Sequence, residues 1–140
     1  MGRRIAAVVV GIIVASCNVF LIERLGHRLY PPPTGLDFSQ ADVVANYMSS
    51  LPAGAFVVVL GGFAMATLIG GFVCAAIARR RPFLYAGIIG ALMLAATLAE
   101  LMMVPHPLWF SITAIVLIIA ATVLAGRLAG RIGSWPAAGD

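Results

Sequence analysis

The stretch Ala53–Ala78, AGAFVVVLGGFAMATLIGGFVCAAIA, runs straight into Arg79-Arg80-Arg81-Pro82 and decides the fold. No charged residue interrupts it, and it exceeds the roughly 20 apolar residues a helix needs to cross the hydrocarbon core. The three arginines belong in water. The proline cannot continue the helix before it but suits the first turn of the next one. The stretch reads as a membrane span with a hard stop.

Three more apolar stretches flank it, each bounded by arginine, proline or both. The expected spans are 5–28, 53–78, 83–104 and 108–125, with an outer loop over 31–52 and a tail over 126–140, all in one transmembrane domain. Composition agrees: 62% of residues are hydrophobic and 10% charged, whereas soluble domains are near half apolar and about a quarter charged. A water-soluble globule cannot hide that much apolar surface. The net charge of +4 therefore does not mark a nucleic-acid module, and disorder is excluded for the same reason. Cys17 and Cys74 have neither the number nor the spacing of a disulfide framework or a zinc knuckle.

The arginines orient the spans. Arg3, Arg4, Arg79, Arg80, Arg81, Arg127 and Arg131 fall on one side, opposed there by Asp140 alone. The other side carries Arg24 and Arg28 against Glu23, Asp37, Asp42 and Glu100. The positive-inside rule then predicts that both termini are cytoplasmic. Basic residues are all arginine, and alanine and glycine are abundant, which points to a GC-rich bacterium and its inner membrane. A second reading of the first span exists, because Arg3-Arg4, an apolar run and Val14-Ala15-Ser16-Cys17 resemble a lipoprotein signal cleaved before a lipidated cysteine. The residues after Cys17, Asn18-Val19-Phe20-Leu21-Ile22, stay membrane-compatible, so an uncut helix is expected.

Lipid tails solvate leucine as well as another helix does, so spans associate where small residues let backbones approach. The rows expected to pack are Ala7, Gly11 and Ala15; Gly62, Ala66, Gly70 and Cys74; Gly87, Ala91, Ala95 and Ala99; and Ala121, Ala125 and Ala129. Gly126 and Gly130 lie beside the last row and offer a contact for a second copy. The links Arg79–Pro82 and Pro105-His106-Pro107 are so short that the helices they join must be antiparallel neighbours. The long outer loop starts with the stiff segment Pro31-Pro32-Pro33. A short interfacial helix is expected after it, opening at Ser39 with Asp42 as its capping pair. Val43, Val44, Tyr47, Met48 and Leu51 would form its apolar face.

Ionisable groups at the edge of the hydrocarbon region are costly and are the first place to seek function. Glu23 and His27 stand four apart on one face of span one, with Arg24 and Arg28 rotated by one residue and Ser16 deeper in. Glu100 lies near the outer end of span three with Thr97 one turn deeper, and His106 follows between two prolines. No other glutamate or histidine occurs in the chain.

Three readings compete. In the first, Glu23 and Glu100 pair with Arg24 or Arg28 in a structural network. In the second, the cluster is a protonatable binding site, since a carboxyl at a low-dielectric boundary tends to keep its proton and histidine titrates near neutrality. In the third, Glu23, His27, Glu100 and His106 hold Zn, Fe or Mn, although neither Glu-x-x-His nor His-Glu-x-x-His spacing is present. No phosphate-binding loop, Ser-His-Asp set or paired-cysteine redox motif appears, so no cofactor is required.

Glu-x-x-x-His with Tyr-Pro-Pro-Pro after span one, and Pro-His-Pro-Leu-Trp-Phe between spans three and four, resemble a family of small bacterial four-span inner-membrane proteins. The resemblance covers most of the chain and implies the four-span architecture. It brings no activity and no functional residue with it.

The expectation is an all-α integral membrane four-helix bundle with a short outer interfacial helix. Its outer Glu/His cluster would bind a proton, cation or small polar ligand without catalysis, in a transport-related role. Its partners are the lipid bilayer and a second copy or larger membrane complex, not nucleic acid. The alternatives are an accessory subunit of such a complex and, third, a membrane metalloenzyme.

Overall fold

The computed structural model describes residues 2–35, 37 and 39–132. It contains five helices, α1 (Gly2–Leu29), α2 (Ala41–Ser50), α3 (Ala53–Ala78), α4 (Pro82–Met103) and α5 (Leu108–Ile132), with no strand among the described residues. Four of them, with 28, 26, 22 and 25 residues, are long and apolar enough to cross a membrane. Without water to satisfy backbone groups, a helix is the form such segments can take, since its hydrogen bonds close within the segment. Polar side chains in the spans follow the same rule. Thr67, Thr113 and Thr122 donate to the carbonyls of Phe63, Trp109 and Ile118, and the Asn18 amide donates to Val14.

The helix α1 begins at Gly2, so Arg3 and Arg4 sit in its first turn, and it runs unbroken past Cys17. At the other end of the chain, α5 continues to Ile132. The expected tail is therefore helical over residues 126–132, while the remainder and Asp140 lie outside the described residues.

The central helix is α3: α1, α4 and α5 all pack on it, α5 also packs on α4, and α1 meets α4 only slightly. Accordingly α3 buries residues all round, from Phe56 and Leu60 to Ala75 and Ala78. α1 and α3 run antiparallel in near backbone contact. A Cβ built on Gly11 would lie 2.7 Å from Cys74 Cβ and 3.1 Å from the Gly70 carbonyl, and one built on Gly70 would lie 2.9 Å from the Gly11 carbonyl. Nothing larger than hydrogen fits at this crossing. The expected rows on these two helices, and Ala121, Ala125 and Ala129 on α5, are all buried.

The row on α4 differs from expectation. Ala91, Ala95 and Ala99 are exposed, and Gly87 has open space where its Cβ would be. The packed face is the neighbouring one, Ala86, Ile89, Gly90 and Thr97, with Gly90 held against Thr122 of α5. Two small-residue rows lie side by side on this helix, and the one that fits Thr122 is used. Gly126, expected to serve a second copy, instead packs under the Phe83 ring within the chain: its Cβ would fall 2.7 Å from that ring.

The links are tight. Arg79 and Arg81 adopt left-handed backbone, φ 56° and 47°, so that α3 can reverse into α4 within three residues. α2 starts at Ala41 and not Ser39, and Gln40 gives it no side-chain cap. Asp37 explains the shift, because its carboxylate accepts the Ser39 N–H at 3.0 Å, the Ser39 hydroxyl at 2.6 Å and the Gln40 amide at 3.1 Å. With the hydroxyl so engaged, the expected pairing with Asp42 does not form. The apolar face of α2 is as expected, with Val44 buried and Tyr47, Met48 and Leu51 turned inward.

Candidate functional site

The bundle has two unlike ends. At the end where α3 stops and α4 starts, the core consists mostly of alanines with Cys74, Tyr85 and Ile89. At the other end it is built from Phe56, Leu60, Phe63, Phe110, Ala114 and Ile118. Phe56 and Phe110 meet edge to face at 5.5 Å, as do Phe63 and Phe110 at 6.5 Å. Rings of this size hold the helices apart where alanines would let them close.

The space they leave is a cavity of about 340 Å³. One wall is the α1 face that carries Val19, Ile22, Glu23, Gly26, His27 and Tyr30. Ala55, Phe56, Val59, Gly62 and Phe63 of α3 form a second wall, and Glu100, His106 and Phe110 close the far side. Pro32 and the α2 residues Tyr47, Met48 and Leu51 complete the lining. The α1–α3 contact tightens again within the site, where a Cβ on Gly62 would meet Ile22 at 2.5 Å.

All four residues expected to form a site, Glu23, His27, Glu100 and His106, line this one cavity. The i, i+4 spacing puts Glu23 and His27 on the same α1 face, and the Pro-His-Pro link carries His106 under it. The Glu100 carboxyl lies within Coulombic reach of both His106 and Glu23. The His106 ring stacks on Phe110 at 4.8 Å with 14° between planes. Its Nδ1 is 2.8 Å from the Val104 carbonyl. A carbonyl only accepts, so Nδ1 carries a proton, and in the neutral form of the ring Nε2 is the acceptor.

The four residues expected to support the site are elsewhere. Ser16 is exposed below it, and Thr97 is buried in the α4 packing face. Arg24 and Arg28 are exposed and absent from the lining. Arg24 sets its guanidinium 4.8 Å above the Phe20 ring on its own helix. Among the described residues no ion pair joins Glu23 or Glu100 to either arginine. Rotation by one residue carries a side chain about 100° round a helix, which accounts for the separation of Glu23 and His27 from Arg24 and Arg28. Among the described residues, no three His, Cys, Asp or Glu side chains gather closely enough to hold a metal ion.

The aromatic lining was not singled out from the sequence. Phe56, Phe63 and Phe110 sit among apolar neighbours, where a phenylalanine reads as ordinary span residue. Tyr30 and Tyr47 were legible only as a loop boundary and a helix face. The chain matches no family model, no curated protein and no solved structure.

Proposed function

We infer that this multi-pass membrane protein binds a proton, a cation or a small polar molecule in the Glu23/His27/Glu100/His106 cavity, in a transport-related role. One observation carries the reading: the only glutamates and histidines of the chain, drawn from both of its halves, line a single cavity. Ionisable groups at membrane depth are costly, and here no arginine neutralises the two carboxylates. Their cost is left without a structural return, which favours a ligand over a packing network. By the positive-inside rule the arginine-rich end is cytoplasmic, and the cavity faces the outer side of a bacterial inner membrane.

A hydrophobic carbodiimide tests this. It adds to a protonated carboxyl in an apolar setting and leaves a stable N-acylurea that peptide mass spectrometry locates. Glu23 and Glu100 are expected to be labelled in nanodiscs while Asp42, which lies outside the cavity, is not. Absence of label at both glutamates at every pH overturns the reading.

A second reading, an accessory subunit or homo-oligomer, draws on the exposed α4 row Ala91, Ala95 and Ala99, since such rows bring membrane helices together. It predicts that Ala95→Cys in a Cys17→Ser background forms an oxidant-dependent cross-link to a second helix.

A further inference from the structure

We propose that the cavity ligand is an organic ammonium ion with an apolar, ring-bearing body, its charge set between Glu23 and Glu100 and its body against Phe56, Phe63 and Phe110. The proposal rests on the binding reading above and names the class of ligand.

Three features of the wall converge on that class. The first is charge. The ionisable groups on the lining, apart from two tyrosines, are two carboxylates and two imidazoles; Arg24 and Arg28 are not part of it, and Arg24 lies over the Phe20 ring. An anion would meet carboxylates with no fixed cation to hold it. The second is hydrogen-bond polarity. Glu23 and Glu100 offer acceptor oxygens, and with the Nδ1–H of His106 given to the Val104 carbonyl the neutral form of that ring would turn Nε2 to the cavity as a further acceptor. Acceptors of this kind suit a ligand that donates N–H groups or carries a quaternary centre.

The third is the apolar remainder. Phe56, Phe63 and Phe110 pack edge to face, and a ring-bearing ligand body can join such a set in the same geometry. At about 340 Å³ the space falls in the range of small organic ligands and far exceeds a bare inorganic cation. A sugar-like polyol would need many donors and acceptors where this wall is mostly hydrocarbon. Ammonium chemistry can come from a free amine or from an aminophospholipid headgroup, and the lipid composition of the nanodisc separates these sources.

The probe is benzyltrimethylammonium, titrated by calorimetry against the full chain in phosphatidylglycerol nanodiscs and repeated as protection against the carbodiimide. Binding with one site per chain and protection of both glutamates are expected. Tetramethylammonium, which keeps the charge and lacks the ring, should bind at least tenfold more weakly, and benzenesulfonate should not bind. Glu23→Gln with Glu100→Gln should lose at least a hundredfold in affinity. Phe56→Leu and Phe110→Leu should each lose at least fivefold while both glutamates still label, which shows that the site persists in those variants. Protection by phosphatidylethanolamine in the disc, with no added amine, supports the class and assigns it to lipid.

The proposal is overturned if both glutamates label but benzyltrimethylammonium neither binds nor protects, if benzenesulfonate binds as tightly, or if Zn²⁺ alone protects. A failure to label the wild type at all instead removes the binding reading beneath it.

Discussion

The α1–α3 crossing at Gly11, Ala15, Gly70 and Cys74 and the cavity between the same two helices further along are made by one pair of elements with opposite outcomes. At the crossing, side chains no larger than a methyl or thiol let the backbones close until no added Cβ fits. Toward the cavity the facing residues are Phe56, Val59 and Phe63 on α3 and Glu23 and His27 on α1, and a space of about 340 Å³ remains. Close packing in lipid is won by small residues because burial of apolar area adds little there. The same bundle can therefore be sealed at one end and hollow at the other by residue size alone.

The largest expected effect attacks the sealed half. Gly70→Leu puts a branched side chain against Ala15 and the Gly11 carbonyl, and overpacking of this kind costs about 3 kcal/mol or more. Thermal denaturation in detergent should show a large loss. The matched change in the hollow half, Ala55→Leu, points into the cavity and should cost under about 1 kcal/mol, as a tolerated volume change does. Equal losses in the two variants would break the comparison.

Next come the carboxylates. With no ion pair to lose, Glu23→Gln and Glu100→Gln should each change stability by no more than about 0.5 kcal/mol, like substitutions away from structural networks. A loss of several kcal/mol in the same denaturation assay would return them to a structural role. Arg81→Gly relieves the left-handed strain at φ 47° and should raise stability by about 1 kcal/mol, read as a higher melting temperature.

The smallest effect is at the loop before α2. Hydrogen bonds from the Ser39 hydroxyl, the Ser39 N–H and the Gln40 amide hold the Asp37 carboxyl below its usual value. A lowered folded-state pKa means that the turn's contribution is complete above the unfolded value of 3.8 and fades as pH drops through the lower folded value. The Ser39 amide resonance should follow that titration in acid, while resonances of the α1–α3 crossing stay unmoved.

Much of this architecture was legible beforehand. The four spans and the rows on α1, α3 and α5 were visible, because uninterrupted apolar length and four-residue spacing of small side chains are one-dimensional signals. The face of α4 was not. Ala86 and Gly90 compete with the longer run Gly87, Ala91, Ala95 and Ala99, and nothing in hydropathy separates them. The start of α2 was misjudged because Asp37, two residues upstream, captured the hydroxyl that Ser39 would have used as a cap.

From its residues alone this chain was bound to be helical and membrane-spanning, with seven of its nine arginines at one end and its glutamates and histidines at the other. That follows from the absence of water in the bilayer, which forces backbone bonding inside each segment, and from charges that stop each span. Helix rotation was decided only by the assembled structure. Fit of Gly11 to Cys74, Gly70 to Ala15 and Gly90 to Thr122 turned Glu23 and His27 toward Glu100 and His106, and left Arg24 and Arg28 outside. Lipid is nearly indifferent to which apolar face a helix shows it, so shape made that choice.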